Sequence, residues 1–277
     1  MRRPATLTIC CLALAACDQR PEGEPVMRAQ LDPDGGVTEI VAEVDDRPAL
    51  PPQQAASACA LVTFETVPLT HCVAEPGEHR ISTALAPSSG EDFGRLESFA
   101  RTIAPETVEF AMNGGMYGDD LRAIGYFVRD SERLSELNRA DGSGNFHMKP
   151  NGVFFGSEGA WQVLDTDTFF RTVGDRPQFG TQSGPMLVIE GELHPEFQEN
   201  GPSRAIRNGV GVDAEGNAHF VISEEPISFG QFARFFRDRL ETPNALYLDG
   251  NVSSLWNPAT GRMDGGRVGP LLVVEKK

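Results

Sequence analysis

The sequence lacks an excess of basic residues. Of its 277 residues, 24 are Lys or Arg and 40 are Asp or Glu, so the formal net charge at pH 7 is −16. Proteins that bind DNA or RNA normally present a basic face to the phosphate backbone. This balance argues against a nucleic acid as the partner, although it leaves room for a local basic pocket that holds one small anion.

The sequence also lacks the common signatures of cofactor and nucleophile sites. It contains no Walker A loop, no dinucleotide-binding glycine fingerprint, no Gly-x-Ser-x-Gly elbow and no His-Glu-x-x-His pair. The cysteines and histidines do not have zinc-site spacing, and no EF-hand pattern occurs. We therefore predict no cofactor and no metal site, with Ca²⁺ left open because loop carboxylates and carbonyls are its usual ligands.

The apolar run at residues 5–16 lacks the length of a membrane-spanning helix. It follows two arginines, which is the pattern of a secretory signal. The run ends in Leu-Ala-Ala before Cys17, and this resembles the bacterial lipoprotein processing box, in which the cysteine is acylated. We predict a lipoprotein signal peptide over residues 1–16 and a lipid anchor to the membrane at Cys17. Asp18 resembles an inner-membrane retention signal, which favours the periplasmic face of that membrane.

Cysteines are scarce outside this signal. Of the five, two leave with the signal peptide and Cys17 carries the lipid, so Cys59 and Cys72 remain. An exported compartment is oxidising, which favours a disulfide between them, while two buried free thiols are the alternative. A catalytic cysteine is disfavoured, since no further cysteine would stay reduced and exposed.

Composition divides the rest of the chain into two parts. Residues 17–57 are rich in Pro, Glu, Asp, Gln and Ala, which predicts a flexible tether, with residues 37–44 as a short strand within it. Residues 58–277 have the composition of a single folded domain, and they contain no internal repeat and no second linker. Because the predicted strands and helices do not alternate strictly, we predict an α+β fold: a mixed, mainly antiparallel sheet with a few helices packed against it.

The strands are predicted from short runs of β-branched and aromatic residues bounded by Gly, Pro, Asn or Asp. They cover residues 60–64, 70–74, 107–112, 124–129, 152–155, 186–189, 209–213, 219–223, 245–248 and 271–274. Helical periodicity predicts helices over residues 91–103 and 228–240, and a short one over 165–172. Ser228 and Gln231 fit a capping box at the start of the second helix.

Several loops combine glycine with polar residues directly after an apolar run. Loops at strand ends commonly carry function, and glycine lets the backbone approach a ligand closely. Each of these residues alone is also typical of an ordinary turn or surface loop. Because Ser183 does not lie in a nucleophile elbow, a serine-hydrolase role is disfavoured. The candidate substrate-binding residues are Asn113, Gly114, Gly115, His147, Lys149, Asn151, Gln182, Ser183, Gly184, Arg204 and Ser253.

Three charged residues are the candidates for catalysis. Arg207 enters a strand beside glycines, and its guanidinium suits a bidentate grip on phosphate or carboxylate. Asp249 ends an apolar strand, where it is either a turn residue or an acid, base or nucleophile. Glu224 is a candidate second carboxylate.

Five of these segments occur in a fixed order along the chain. They read MNGGMY at 112–117, KPNGVF at 149–154, TQSGPML at 181–187, IRNGVGVD at 206–213 and LYLDGNVSSL at 246–255. Taken together, they resemble the phosphodiester glycosidase family. The resemblance extends over about residues 58–275. The family includes the catalytic domain of the lysosomal enzyme that removes N-acetylglucosamine from a sugar-1-phosphate diester, and many exported bacterial proteins. This chain differs at Asn251, where the family usually has a second Gly, and at Asn208, where Thr is common.

The resemblance implies an exported hydrolase that cleaves a glycosidic bond at a sugar-1-phosphodiester or a related envelope glycan. In this reading Arg207 and Lys149 hold the phosphate, and Asp249 activates water or attacks the sugar. Asn113, Gln182 and Ser253 orient sugar hydroxyls. The partner is then a carbohydrate or sugar-phosphate substrate.

Two other functions remain open from the sequence. The alternative to an enzyme is a non-catalytic envelope lipoprotein that binds a glycan or a protein through the same cleft. Cleavage on the phosphorus side of the diester is a third reading, but most such enzymes use metal ions, and the sequence has no metal cluster.

Overall fold

The computed structural model describes residues 57–85 and 94–277 in full, and the backbone of residues 29–31 and 37–39. The predicted signal peptide, Cys17 and Asp18 lie outside the described residues. The chain divides into two compact units, residues 1–53 and 54–277. In the first unit, strands β1 (Ala29–Leu31) and β2 (Val37–Glu39) pair antiparallel, so the segment predicted as a tether contains a short two-stranded ribbon.

Short strands make up most of the second unit. In chain order they are β3 (Cys59–Phe64), β4 (Val67–Ala74), β5 (His79–Ala84), β6 (Val108–Asn113), β7 (Phe127–Arg129), β8 (Glu132–Ser135), β9 (Gly152–Ser157), β10 (Ala160–Asp165), β11 (Phe179–Ser183), β12 (Met186–Ile189), β13 (Glu192–Leu193), β14 (Arg204–Ala205), β15 (Asn208–Val212), β16 (Ala218–Ser223), β17 (Ile227–Ser228), β18 (Asn244–Tyr247), β19 (Leu255–Asn257), β20 (Arg262–Met263) and β21 (Leu271–Lys276).

Helices are few and short. They are α1 (Leu96–Ala100), α2 (Thr166–Thr172) and α3 (Phe229–Arg234), a π-helix (Phe235–Arg239) that continues α3, and single 3₁₀ turns at Pro105–Thr107, Asn145–His147 and Gly250–Val252. Among the described residues, no helix has the length and apolar character needed to cross a membrane.

In the described part of the second unit the strands form three larger sheets and one two-stranded pair. A seven-stranded sheet has the order β13-β12-β18-β15-β16-β4-β3, and two five-stranded sheets have the orders β20-β19-β6-β21-β5 and β10-β9-β11-β7-β8. Strands β14 and β17 form the pair. Neighbouring strands in these sheets run antiparallel, which confirms the predicted α+β class with mainly antiparallel sheets.

The three sheets meet in one aromatic core. Phe220 of β16 packs edge-on against Phe110 of β6 and Phe154 of β9, with ring centroids 5.2 and 5.7 Å apart. The opposite face of the seven-stranded sheet is covered by α3 through Phe232 and by the π-helix through Phe236, both fully buried. Because both faces of the sheet are covered there, β16 is buried along its whole length.

The predicted helix over residues 228–240 is only partly α-helical. The Ser228 hydroxyl accepts a hydrogen bond from the Gln231 N–H at 3.2 Å, so the predicted N-cap is confirmed. The Gln231 amide, however, donates to the carbonyl of Glu65 instead of returning to Ser228, so the reciprocal half of a capping box is absent. The short helix after Asp165 is confirmed, with the Asp165 carboxylate accepting from two N–H groups in its first turn.

Cys59 and Cys72 lie directly opposite each other on β3 and β4 and form a disulfide. The structure therefore favours the disulfide over the alternative of two buried free thiols. The bond joins the edge strand of the seven-stranded sheet to its neighbour.

A buried histidine pair lies in this sheet. The ring of His71 on β4 hydrogen bonds to that of His219 on β16 at 2.9 Å, and His219 hydrogen bonds to Asp213 at 3.0 Å. Burial, followed by the neighbouring charges of His219 and Arg239, lowers the pKa of His71 to about 4. In the unfolded chain His71 would take up its proton near pH 6.5. The folded state is therefore penalised as the pH falls from 6.5 to 4.

We expect His71→Gln to weaken the acid sensitivity of the fold. Between pH 7 and 4.5 the free energy of unfolding of the native protein should fall by about 2 kcal/mol more than that of the variant. Denaturant titration at the two pH values measures this difference. The matched control is His147→Gln, whose imidazole contacts a loop carbonyl. Equal losses in the native protein and His71→Gln would contradict the assignment.

Candidate functional site

Three segments that are distant in the sequence meet where their strands begin or end. They are the end of β6 at Asn113, the entry to β15 at Arg207 and Asn208, and the turn that follows β18 at Asp249. The Leu248 N–H donates to the Asn208 carbonyl at 3.0 Å. The Asp249 N–H in turn donates to the carbonyl of the glycine after Asn113 at 3.1 Å. We refer to Asn113, Arg207, Asn208, Tyr247, Asp249 and Ser253 as the Arg–Asp cluster.

Asn113 is the hub of this cluster. Its amide nitrogen donates to the Asp249 carbonyl at 2.8 Å, and its amide oxygen accepts from the Asn208 side chain and the Ser254 N–H, both at 2.9 Å. Asn208 also accepts from the Ser253 hydroxyl at 3.2 Å. These contacts give Asn113 a positioning role, and its contact with sugar hydroxyls stays a prediction.

Arg207 is a buried cation without a carboxylate partner in the described part of the chain. Only 2% of the residue is exposed. Its Nε donates to the Ile227 carbonyl at 2.9 Å, and its Nη2 donates to the Ser203 carbonyl at 3.0 Å. Its guanidinium lies 3.5 Å from the centre of the Phe229 ring, a cation–π contact. Burial lowers the pKa of Arg207, although the nearby Tyr247 partly opposes that shift. A desolvated, fixed guanidinium of this kind is a preformed site for an anion.

Tyr247 connects the arginine to the aspartate. It is 1% exposed, and the Arg207 guanidinium and the Gly250 N–H both interact with its hydroxyl. Burial raises the pKa of Tyr247, the nearby charge of Asp249 raises it further, and Arg207 partly offsets both effects. Tyr247 therefore keeps a neutral hydroxyl at neutral pH, which hydrogen bonds to Arg207 and is close enough to Asp249 to be affected by its charge.

Asp249 caps a turn with one oxygen and keeps the other available. Its Oδ1 accepts from the Asn251 N–H at 3.3 Å, whereas its Oδ2 has no hydrogen-bond partner among the described residues. The residue is 8% exposed, and burial raises the pKa of its carboxyl above the usual value, with the Asn251 N–H partly opposing the shift. A carboxylate with a raised pKa is a stronger base than an exposed aspartate, which suits proton transfer.

Close backbone contacts explain the glycines predicted at this site. A side chain on Gly115 would overlap the Gln182 carbonyl and lie 2.7 Å from the Thr181 hydroxyl, which accepts from the Gly115 N–H. A side chain on Gly184 would lie 2.6 Å from the Asn151 side chain. These glycines bring three loops together, and Gly114 joins them to Asp249 through its carbonyl.

The Gln182 side chain also holds neighbouring segments together. Its amide oxygen accepts from the N–H groups of Tyr126 and Asn138, and its amide nitrogen donates to the Asn138 carbonyl and the Thr166 hydroxyl. All four bonds are internal, so the predicted contact of Gln182 with sugar hydroxyls is corrected to a positioning role. The Ser253 hydroxyl is likewise engaged with the protein, whereas the fully buried Ser183 hydroxyl has no partner among the described residues.

Three predicted substrate-binding residues, His147, Lys149 and Asn151, lie on the loop before β9, outside the cluster. His147 hydrogen bonds to a loop carbonyl, and Lys149 forms an ion pair with Asp141 at 2.5 Å. The Asn151 amide donates to the Phe146 carbonyl at 2.9 Å. Arg207 donates to the Ile227 and Ser203 carbonyls, so the two cations share no acceptor among the described residues, and their joint hold on one phosphate stays a prediction.

Aromatic rings nevertheless connect this loop to Arg207. The ring of His194 hydrogen bonds to the Lys149 carbonyl at 3.1 Å and stacks on Phe197 at 4.7 Å. Phe197 stacks on Phe229 at 5.0 Å, and Phe229 carries the Arg207 guanidinium. This stack holds the Phe229 ring in place against the Arg207 guanidinium.

Two other predicted site residues have contacts of their own. Glu224 accepts from Arg262 and from the Thr70 hydroxyl, both at 2.6 Å and both on Oε1, and Arg262 also pairs with Asp264. Glu224 thus takes part in a structural ion pair, and its role as a second catalytic carboxylate stays a prediction. Arg204 is exposed, and its side chain donates to the Pro226 carbonyl at 3.4 Å.

Sequence reasoning missed Tyr247 and Phe229. Side chains two positions apart on a strand point to the same side, so Tyr247 could have been assigned to the site from its place two residues before Asp249. Phe229 gave no such signal, because it belongs to a Phe-rich helix that the sequence identifies as core. Among the described residues, no group of three or more His, Cys, Asp or Glu side chains is arranged to hold a metal ion.

Solved structures share this fold. The catalytic domain of zebrafish N-acetylglucosamine-1-phosphodiester alpha-N-acetylglucosaminidase, in a form auto-inhibited by its pro-peptide, superposes with a TM-score of 0.53 at 15% identity, covering 79% of this chain and 82% of that one. A hypothetical protein from Synechocystis gives a TM-score of 0.51 at 15% identity, covering 79% of this chain and 61% of that one. At these identities the likeness concerns the fold alone.

Comparisons of the sequence identify the family as well as the fold. The uncharacterized protein YigE of Escherichia coli strain K12 is 33% identical over 215 residues, which is 77% of this chain and 81% of that protein. Residues 106–267, which contain the whole Arg–Asp cluster, match the phosphodiester glycosidase family. The chain therefore belongs to the phosphodiester glycosidase family.

Proposed function

We propose that this protein is a hydrolase that cleaves the glycosidic bond of a sugar-1-phosphodiester. The observation that carries the proposal is the Arg–Asp cluster: a buried guanidinium with no carboxylate partner in the described part of the chain hydrogen bonds to Tyr247, and Asp249, two residues after Tyr247, keeps one carboxylate oxygen without a partner among the described residues. A phosphodiester brings the negative charge that Arg207 lacks, and its sugar brings the carbon that water attacks.

The cluster suits a simple hydrolysis. The Oδ2 of Asp249 accepts a proton from a water molecule as the water oxygen bonds to C1 of the sugar. The C1–O bond to phosphate breaks, and its electron pair leaves with the phosphate oxygen, whose charge Arg207 balances. The products are the free sugar and a phosphate monoester, and Asp249 returns its proton to solvent.

The scarcity of free carboxylates at the site favours a phosphate leaving group. Ordinary glycosidases need a second carboxyl group to protonate a poor leaving group. Here the predicted second carboxylate, Glu224, is held by Arg262. Phosphate leaves without protonation, so one carboxylate and one arginine suffice.

The proposal includes export and anchoring through Cys17. Support for both comes from the sequence pattern at residues 1–18 alone. The substrate would then belong to the cell envelope, which is rich in phosphodiester-linked sugars.

Hydrolysis in ¹⁸O-labelled water tests the bond that breaks. The purified full chain is incubated with the methyl phosphodiester of N-acetylglucosamine-1-phosphate, without added metal, and the products are analysed by mass spectrometry. We expect the label in the sugar and none in methyl phosphate. Label in the phosphate would show cleavage on the phosphorus side and overturn the proposal.

A non-catalytic glycan-binding lipoprotein is the second candidate, and the Asp249 cap favours it. One oxygen of that carboxylate accepts from the Asn251 N–H and so caps the turn, which is the role of a purely structural aspartate. If the full chain binds envelope glycans but releases no sugar from a panel of sugar-1-phosphodiesters, the second candidate replaces the first.

A further inference from the structure

A second tyrosine, Tyr117, lies outside the Arg–Asp cluster but close enough to Asp249 to be affected by its charge. It ends the segment MNGGMY at 112–117, and it is half-buried. Burial raises the pKa of Tyr117, the charge of Asp249 raises it further, and Arg267 partly opposes the shift. The hydrolysis proposed above uses Arg207 and Asp249 and leaves Tyr117 without a role.

Backbone hydrogen bonds join the loop that carries Tyr117 to the Asp249 turn. The Asp249 N–H donates to the Gly114 carbonyl at 3.1 Å, and the Gly114 N–H donates to the Pro270 carbonyl at 2.7 Å. The loop therefore starts against both the Asp249 turn and the segment that enters β21. Tyr117 follows three residues after Gly114, and three residues of chain span at most about 11 Å, which keeps Tyr117 near the carboxylate.

The loop between β20 and β21 holds the Tyr117 ring. The Tyr117 hydroxyl donates to the Arg267 carbonyl at 2.8 Å, and the Arg267 guanidinium donates to the Asp119 carbonyl at 3.3 Å. A side chain on Gly269 would lie 2.5 Å from the Tyr117 ring, so the ring packs directly against that glycine. An antiparallel bridge from Tyr117 to Ala123 closes the hairpin that carries it. The ring is therefore fixed before a ligand binds, which lowers the entropy cost of binding.

Asp249 is the charge that affects both Tyr117 and Tyr247. Tyr247 hydrogen bonds to the Arg207 guanidinium, whereas Tyr117 is affected by the charge of Arg267, which lies on a different loop. In the proposed hydrolysis the phosphate lies at Arg207 and the reacting carbon of the sugar lies at Asp249. The rest of the sugar then needs a surface of its own near Asp249, and Tyr117 provides one.

A tyrosine has the chemistry that a sugar surface requires. Its ring is flat and apolar, which suits the C–H groups on one face of a pyranose, and it loses little conformational freedom when it is covered. Because the pKa of Tyr117 is raised, the side chain is neutral at neutral pH and does not repel the negative phosphodiester.

We propose that Tyr117 forms the sugar subsite of the Arg–Asp cluster, with its ring packed against one face of the pyranose whose C1 lies at Asp249. Arg207 holds the phosphate and Tyr117 holds the sugar, so separate residues recognise the two ends of the substrate. This inference rests on the proposed function for the bond that is cleaved, but sugar binding at Tyr117 has a test that needs no turnover.

The two halves of the substrate serve as separate probes of the active enzyme. Hydrolysis of the methyl phosphodiester of N-acetylglucosamine-1-phosphate is measured with free N-acetylglucosamine or with inorganic phosphate as the inhibitor. We expect Tyr117→Ala to raise the inhibition constant of the sugar about tenfold and to leave that of phosphate unchanged. Arg207→Lys should show the reverse pattern. Tyr117→Phe should keep both native values, because it keeps the ring and loses only the bond to the Arg267 carbonyl.

Saturation-transfer NMR on the full chain measures sugar binding without turnover, with glucose, galactose, mannose and N-acetylglucosamine as the probes. At least one of them should bind, and Tyr117→Ala should raise its Kd about tenfold. Tyr117→Leu should do the same, because leucine keeps an apolar contact with Gly269 but has no flat face. Thermal unfolding of this variant should stay near the native value. The matched control is Phe170→Ala, which removes an exposed ring on α2 and should leave the Kd unchanged.

The outcomes distinguish the subsite from the reaction. The subsite is overturned if none of the four sugars binds to the native chain, or if Tyr117→Leu and Phe170→Ala both keep the native Kd. An equal loss of sugar binding in Tyr117→Phe and Tyr117→Leu would assign the effect to the hydroxyl and overturn the packing of the ring on the sugar. If a sugar binds through Tyr117 but the native chain hydrolyses no phosphodiester, the reaction fails while the subsite stands.

Discussion

Replacing Asp249 with asparagine should lower kcat for the sugar-1-phosphodiester by about a thousandfold. Burial raises the pKa of the Asp249 carboxyl, so in the native protein its free Oδ2 is well suited to take the proton from water. An amide cannot accept that proton. The fold should survive, since the amide oxygen of asparagine can still accept the hydrogen bond from the Asn251 N–H that Oδ1 accepts now.

The pH profile gives this prediction a second readout. A base whose pKa is raised loses activity as the pH falls through that raised value, earlier than an ordinary aspartate would. We expect kcat of the native enzyme to fall on the acid side, and the residual activity of Asp249→Asn to be flat there.

Asp213 supplies the matched control for Asp249. It lies at the opposite end of β15 from Arg207, and its carboxylate also caps a turn, by accepting from the Asn217 N–H at 2.7 Å. Asp213→Asn should change stability without changing kcat. If Asp249→Asn keeps more than about a tenth of the native turnover, its carboxylate is only a cap and the mechanism is wrong.

The strands were predictable from the sequence where the apolar composition of a short segment indicates that it is buried. The mostly apolar segments at β6 and β16 were identified, because strands covered on both faces are rich in apolar residues. Strands β10 and β11 were missed, since Gln162, Thr181 and Gln182 interrupt their apolar pattern. The polar residues of β11 are nevertheless buried, because they bond to distant loops that a local reading of the sequence does not reveal.

The candidate site was predictable in its members more than in their roles. Glycine-rich strand ends pointed to Asn113, Arg207 and Asp249, and the structure brings these three together. The roles depend on partners across long separations, such as the bond from Asn113 to Asp249, which joins residues 136 positions apart. The sequence gives the type of each side chain, such as an amide or a carboxylate, but not its hydrogen-bond partners. Only the fold shows that Asn113 and Glu224 are engaged within the protein.

Replacing Arg207 with lysine should lower kcat/KM for the phosphodiester by about a hundredfold. A lysine keeps the charge but has a single ammonium in place of the planar guanidinium, so it cannot bond to Ile227 and Ser203 while it faces the phosphate. It also loses the flat contact with Phe229. Inorganic phosphate should inhibit the native enzyme competitively, and its inhibition constant should rise at least tenfold in the variant.

Arg234→Lys is the control for Arg207, because Arg234 is equally fixed but pairs with the carboxylate of Glu65 at 2.7 Å. A buried guanidinium that already has a counter-ion offers no site for phosphate, so this variant should keep both kcat/KM and the inhibition constant. Loss of phosphate inhibition in Arg207→Lys alone, at unchanged thermal unfolding, assigns the anion site to Arg207. Equal inhibition of both variants and the native enzyme would place the phosphate elsewhere, because an unpaired buried cation is the feature that distinguishes Arg207 from Arg234.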